Sequence, residues 1–221
     1  GGRYIDPTGR LVKDVEGFGV LSVRDILVRS SNVGVTEIGW KMGIKMMADG
    51  LTRFGFGQRT GVGLPGDQKG IMPPEREWTK GTLTSASFGY AVAATPLQLV
   101  RAFCTFANGG YLVTPRVINA VEEESGAGGG PWGATVPWDQ VSAMPPPKRI
   151  ISEQTCETMR DIMSGVYGPE GTARSAGSKL YTLYGKTGTA HIAGVARGDG
   201  GHGYGSSDYN GSFLCGGPVD H

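Results

Sequence analysis

Separate stretches of helical apolar spacing begin after about residue 20, and the period changes in the last third of the chain. Ser22 with Asp25 three positions on, ahead of Val23, Ile26 and Leu27, forms a capping box. It predicts a short helix that delivers the chain to Ser30-Ser31-Asn32. Two further amphipathic stretches follow, from Val33 to Met42 and from Ile44 to Phe54. Between Gly55 and Pro74 six glycines and the string Leu64-Pro65-Gly66-Asp67 predict a loop. Thr95 as N-cap, Pro96 at the first helical position and Gln98 at the third predict a helix to Ala107 that stops at Asn108-Gly109-Gly110. Leu99, Phe103 and Phe106 are its expected buried residues. Tyr111-Leu112-Val113 and Val117-Ile118 look strand-like, and the Gly- and Pro-rich stretch 126–147 reads as an excursion whose Trp132 and Trp138 fold back over a neighbouring core, a binding stripe being the other use of such a pair. Ser152 caps a helix through Gly165 with Cys156, Met159, Ile162 and Met163 inward. Leu180 to Tyr184 favours a strand by its aromatic and β-branched content, with Gly185 to Ala190 at its end, and Gly211 to Cys215 is the next strand.

The 221 residues suit one domain, or part of a larger one. The formal charge of +1 leaves no global field for nucleic acid or anionic lipid. The nearly uncharged run between Lys80 and Arg101 is broken by Thr82, Thr84, Ser85, Ser87, Thr95 and Gln98, so it reads as buried core rather than a membrane span. Cys104, Cys156 and Cys215 are too widely spaced for a zinc ribbon or a redox pair and read as small buried hydrophobes. With His191, His202 and His221 equally scattered, neither a metal nor a cofactor is expected.

Two stretches carry chemistry. Ser30-Ser31-Asn32 lies between two helices, where hydroxyl and amide groups can hold a ligand oxygen or pass a proton; a plain N-cap for the second helix is the competing use. Lys186-Thr187-Gly188-Thr189 offers a cation, two hydroxyls and a glycine that lets a ligand backbone come close to a strand edge. Together they suit an anionic, peptide-like substrate. Gly185-Lys186-Thr187 also looks like the tail of a phosphate loop, but Leu180 stands where that loop needs glycine.

Taken in order, these two motifs resemble two of the three active-site motifs of the penicillin-binding proteins and serine β-lactamases, with Ser31 as the middle residue where the family's central motif is written Ser-Asp-Asn. The surrounding strings are similar to the transpeptidase domain of class B penicillin-binding proteins: Leu27-Val28-Arg29-Ser30-Ser31-Asn32-Val33-Gly34, Leu64-Pro65-Gly66-Asp67, Ala86-Ser87-Phe88-Gly89-Tyr90, Thr95-Pro96-Leu97-Gln98-Leu99 and Ala107-Asn108-Gly109-Gly110. The resemblance implies an α/β (α+β) fold of the β-lactamase/transpeptidase type, a helical subdomain plus an antiparallel sheet flanked by helices. Residues 1–221 would form part of that domain, mostly helical over 20–178 with the 126–147 loop, and starting the sheet over 179–221.

The implied activity is a bacterial peptidoglycan D,D-transpeptidase, in which a serine attacks a D-Ala-D-Ala stem peptide and passes the acyl group to a neighbouring amine; β-lactam antibiotics acylate the same serine. Ser30 would relay a proton, Asn32 would orient the acyl-side amide and the first motif's lysine, and Lys186 would supply positive potential. Ser31, Thr187, Gly188 and Thr189 would bind substrate, the two threonines at its terminal carboxylate and the Thr189 N–H as one oxyanion donor. Gly188 would keep the strand edge clear. A membrane glycosyltransferase and division or elongation proteins are the implied partners, and the implied location is the outer face of the cell membrane, with a single anchor upstream of Gly1.

One element of that pattern is absent, because no serine in the chain has lysine three positions later. The expectation is that the Ser-x-x-Lys nucleophile and its helix lie upstream of Gly1, that a packing helix lies beyond His221, and that this stretch alone neither acylates nor transpeptidates. Loss of the nucleophile helix would strip cover from Val33, Ile38 and Phe103. A hydrolytic β-lactamase relative, or a non-catalytic β-lactam sensor or peptide-binding module, are the other readings.

Overall fold

The computed structural model describes residues 2–122, 135–137, 146–196 and 202–219. Strands Arg3–Ile5 (β1) and Leu11–Lys13 (β2) pair antiparallel, with Tyr4 opposite Val12. The turn between them is organised by Asp6, whose carboxylate accepts from the Thr8 N–H at 2.8 Å, the Arg10 N–H at 3.0 Å and the Thr8 hydroxyl. Its other oxygen accepts from the Thr84 hydroxyl, which in turn accepts from Trp40 Nε1 at 3.0 Å. One buried carboxylate thus ties the hairpin to two helices.

Helix α1 (Val23–Val28) starts from the Ser22/Asp25 capping box and is followed after a short turn by α2 (Asn32–Arg53). Gly43, with φ 77° and ψ 168°, breaks α2 where the two amphipathic stretches of the sequence meet. After the loop and a 3₁₀ turn at Glu75–Glu77 come α3 (Lys80–Ser87) and α4 (Pro96–Ala107). Tyr111–Leu112 (β3) pairs with Lys148–Arg149 (β6), and Ala120–Glu122 (β4) pairs with Thr135–Pro137 (β5). Helix α5 (Glu153–Ser164) and 3₁₀ turns at Gly165–Tyr167 and Arg174–Ala176 lead into Tyr184–Ala196 (β7), which pairs antiparallel with His202–Gly216 (β8). Among the described residues no helix is long and apolar enough to cross a membrane.

The core lies where α4 and α5 meet the β7–β8 hairpin. Phe103 stacks on Tyr184 with ring centroids 5.5 Å apart, Phe106 leans on Phe54, and the buried Cys156 thiol donates to the Thr105 carbonyl. Arg160 reaches the Phe106 carbonyl at 2.7 Å, which joins α5 to the end of α4.

Several expectations need correcting. The fully buried positions of α4 are Gln98, Ala102 and Thr105, while Leu99, Phe103 and Phe106 are half-buried at its margins. The seam is polar because Gln98 serves two purposes. Its Oε1 completes the capping box by accepting from the Thr95 N–H at 2.8 Å, and its Nε2 donates to the Gln58 carbonyl at 2.7 Å and the Lys69 carbonyl at 3.0 Å. Gln98 therefore ties two points of the glycine-rich loop to α4, beside the Ile71–Ala93 bridge and the bond from Trp78 to the Pro73 carbonyl.

The strand expected from Leu180 begins only at Tyr184. A strand needs a ladder partner as well as propensity, and β8 ends at Gly216 before Pro218, so Leu180 and Tyr181 stay 84% and 60% exposed. Lys186 to Thr189 consequently sit in the first half of a long strand, not at its end. Val117-Ile118 is irregular, the strand following at Ala120–Glu122. Cys104 is half-buried and Cys215 is exposed, so of the three cysteines only Cys156 is the buried hydrophobe expected. The excursion at 126–147 includes strand β5, and Trp132 and Trp138 lie outside the described residues.

Replacing Gln98 with Leu leaves the Thr95 N–H and two loop carbonyls unpaired, and urea unfolding should report a loss of about 2 to 4 kcal/mol; a loss below about 0.5 kcal/mol would contradict this account of the loop. Burial alone would raise the Asp6 pKa, but the donors from Thr8, Thr84 and Arg10 outweigh it and hold the carboxyl at about 2. A pKa lowered in the folded state gives stability that is complete above the ordinary value of 3.8 and is lost as pH falls toward 2. Asp6→Asn should therefore flatten the acid limb of the stability profile by on the order of 1 to 2 kcal/mol, and an unchanged limb would contradict the assignment.

Candidate active site

The turn between α1 and α2 separates two adjacent serines. Ser31 is the N-cap of α2: its hydroxyl accepts from the Gly34 N–H at 2.9 Å and donates to Asp14 Oδ2 at 2.8 Å, and the residue is 2% exposed. The N-cap reading of this motif thus applies to Ser31, whose hydroxyl faces inward rather than toward a ligand. Asp14 Oδ1 accepts from the Val33 N–H at 2.9 Å, and Asn32 Nδ2 donates to the Lys13 carbonyl at 3.1 Å. Ser30 is different. It has φ 58°, in the left-handed region that costs a non-glycine residue about 1 to 2 kcal/mol. This conformation points its side chain away from that of Ser31.

The Ser30 hydroxyl meets the second motif. Lys186 Nζ donates to Ser30 Oγ at 2.7 Å and to the Thr187 carbonyl at 3.0 Å, joining residues 156 positions apart. Burial pushes the Lys186 ammonium below its ordinary pKa. Lys186 lies opposite Leu214 and Gly188 opposite Ser212 in the β7–β8 ladder. Gly185 before the lysine is set by close approach, since a Cβ there would come within 2.8 Å of the Leu214 carbonyl; at Gly188 a Cβ would meet only the rotatable Ser212 Oγ, at 2.5 Å. The string that looked like a phosphate loop is strand packed on strand.

Backbone groups of alternate residues share one edge of a strand. On β7 the His191 N–H donates to the Tyr90 hydroxyl at 3.0 Å, which marks 187, 189 and 191 as facing away from β8. At Thr187 the outward carbonyl is taken by Lys186, and at 191 the N–H is taken by Tyr90. The N–H of Thr189 lies between them on the same edge.

A third wall comes from the loop after α5. Thr172 Oγ1 is 2.6 Å from Thr187 Oγ1, and Glu170 pairs with Arg29 at 2.8 Å. Gly171 holds this loop down, since a Cβ there would lie 2.0 Å from the Val166 carbonyl. The walls enclose a cleft of about 790 Å³. Ser30, Ser31, Asn32, Lys186, Thr187, Gly188 and Thr189 all line it, together with the apolar Phe18, Ile26, Leu27, Val35 and Phe88. Asp14, Glu170, Thr172 and Tyr90 were missed from the sequence, because each acts through a tertiary contact that no local pattern announces. Among the described residues no three His, Cys, Asp or Glu side chains are grouped to hold a metal ion.

A half-buried cation, hydroxyls on two walls and a backbone N–H on an open strand edge can grip an anionic peptide-like ligand and move a proton beside it. Comparison with known proteins points the same way. The family model for the penicillin binding protein transpeptidase domain matches residues 8–214. Penicillin-binding protein PbpB of Mycobacterium tuberculosis is 33% identical over 190 residues, 82% of this chain and 26% of that protein. Peptidoglycan D,D-transpeptidase FtsI of Escherichia coli is 31% identical over 186 residues, 84% of this chain and 28% of that protein. Among solved structures, penicillin-binding protein 3 of M. tuberculosis complexed with ampicillin superposes with a TM-score of 0.85 at 30% identity, covering 99% of this chain and 47% of that one. The transpeptidase domain of penicillin-binding protein 3 from Burkholderia pseudomallei gives 0.78 at 28%, covering 98% and 58%. The chain thus spans about a quarter of the length of these curated relatives. With the match running across nearly the whole sequence and through both motifs that meet at the cleft, the chain belongs to the transpeptidase-domain family of the class B penicillin-binding proteins.

Proposed function

We propose that this chain is the larger part of the substrate cleft of a peptidoglycan D,D-transpeptidase, and that the protein containing it acylates itself with D-Ala-D-Ala stem peptides. The observation that carries the reading is the Lys186 Nζ to Ser30 Oγ contact at 2.7 Å beside an open strand edge. The nucleophile is a serine of a Ser-x-x-Lys motif supplied outside these 221 residues. Ser30 passes a proton between the reacting amine and its surroundings, and Lys186, its pKa lowered by burial, keeps that hydroxyl polarised. Asn32 orients the acyl-side amide. Thr187 and Thr189 take the terminal carboxylate of the donor, Gly188 leaves room for its backbone, and the Thr189 N–H is one donor to the developing oxyanion. Ser31 contributes by fixing the turn rather than by touching substrate.

The reaction is an acyl transfer in two steps. The serine oxygen bonds to the penultimate D-Ala carbonyl carbon as the amide bond to the terminal D-Ala breaks, and the serine's hydroxyl proton passes to that departing amine; an amine of a second stem then bonds to the carbonyl carbon as the ester bond to the serine breaks, and its proton returns to the serine oxygen. β-Lactams enter as mimics of the donor. The protein would be anchored in the bacterial cell membrane with this domain on the extracytoplasmic side, working beside a membrane glycosyltransferase of division or elongation.

A fluorescent penicillin tests this. The whole protein should take a stable, stoichiometric label, Lys186→Ala should slow labelling by about 100-fold or more, and the 221-residue stretch alone should take none. An unlabelled whole protein, or Lys186→Ala labelling at the original rate, would overturn the reading.

A further inference from the structure

The roles proposed above use Ser30 and leave unexplained what holds it in a left-handed turn. One part of the hold is the end of α1 itself and the other is Asp14. It follows the last residue of β2, is half-buried, and commits both carboxylate oxygens to the start of α2: Oδ2 accepts from the Ser31 hydroxyl at 2.8 Å and Oδ1 from the Val33 N–H at 2.9 Å. The preceding carbonyl, that of Lys13, takes the Asn32 amide at 3.1 Å. Residues 31, 32 and 33 are therefore each bonded to the end of β2, and none of these bonds reaches Ser30. On the other side, the Ser31 N–H reaches back over Ser30 to the Ile26 carbonyl at 3.0 Å and the Arg29 N–H donates to the Asp25 carbonyl at 2.9 Å, so α1 ends in a Schellman turn that takes a left-handed residue at Ser30.

The change of direction between the helices then falls on the one residue between these anchors, which is Ser30 at φ 58°. The alternative for a non-glycine residue is relaxation to negative φ, which carries the hydroxyl away from Lys186. We infer that Asp14 is a positioning residue for the acyl-transfer site: by clamping Ser31 and Val33 against β2, it holds closed the left-handed turn that puts Ser30 Oγ on Lys186 Nζ. A carboxylate suits the task, since it can accept two bonds and its charge is favourable at the N-terminus of a long helix. The inference rests on the reading of Ser30 and Lys186 as the proton-relay end of the cleft.

The test is a double-mutant cycle in the whole protein, with fluorescent-penicillin acylation resolved from reversible binding. Asp14→Ala should slow acylation about tenfold while reversible binding changes less than about twofold. In a Ser30→Gly background a positive φ costs nothing and no hydroxyl remains to be placed. There Asp14→Ala should slow the residual acylation less than about twofold, although it lowers the thermal midpoint as much as before. Asp14→Asn, which can accept from Val33 and turn its amide to Ser31, should stay within about threefold of the original rate. If Asp14→Ala does not fold, Asp14→Ser, too short to span both bonds, is carried through the same cycle with the same expected outcome. Equal slowing in both backgrounds, or no slowing with Ser30 present, overturns the role of Asp14 alone. An unmodified protein that takes no label overturns both this role and the reading on which it rests.

Discussion

The contact between the Lys186 ammonium and the Ser30 hydroxyl is the interaction on which the cleft depends. A half-buried ammonium needs acceptors, and here it has two, the Ser30 Oγ and the Thr187 carbonyl. Satisfying it requires the end of a short helix and the first half of a long strand to converge. Helix α5 is the bridge. Its side nearest α1 pairs Asp161 with Arg24, and the Gly165 that ends it lies so near Val28 that a Cβ would come within 2.8 Å of the valine side chain. Its other side packs on β7, and the loop that follows it fastens Thr172 to Thr187 and Glu170 to Arg29. A single helix and its trailing loop therefore set the width of the cleft.

The helical half packs buried polar residues beside its apolar ones, Trp78, Leu83 and Met163 among them. Thr36, Thr84, Thr105 and Gln98 are all fully or almost fully buried. Each has its hydrogen bonds met nearby: Thr36 returns to the Asn32 carbonyl, Thr105 to the Ala102 carbonyl, Thr84 bridges Trp40 and Asp6, and Gln98 holds the glycine-rich loop. Groups satisfied in this way can be buried without the usual penalty, and their small volume lets helices approach. Gly39 carries the same economy further, since a Cβ there would collide with Ser87.

Local signals were legible wherever one residue type has one structural use. The capping boxes at Ser22 and Thr95, the cap at Ser152 and the stop at Asn108-Gly109-Gly110 fall where the sequence puts them. The seven candidate residues meet in one cleft because the motif strings are specific even though their spacing carries no distance. What stayed hidden depends on partners. Leu180 and Tyr181 have the composition of a strand and no ladder to join, Gln98 reads as a cap and is also a loop anchor, and Cys215 looks like core but is exposed. The division of labour between Ser30 and Ser31 could not be read either, since it turns on a backbone angle and on Asp14, a residue 17 positions away from Ser31.

The most direct measurement is of the coupling between Ser30 and Lys186 themselves. Unfolding free energies of the whole protein, Ser30→Ala, Lys186→Met and the double variant form a cycle in which any direct bond appears as non-additivity. The account predicts a coupling of about 0.5 to 2 kcal/mol, the range for a charge-assisted hydrogen bond that is only partly shielded from water. Additivity to within about 0.3 kcal/mol would mean that the two side chains do not meet, and the cleft as described would not exist.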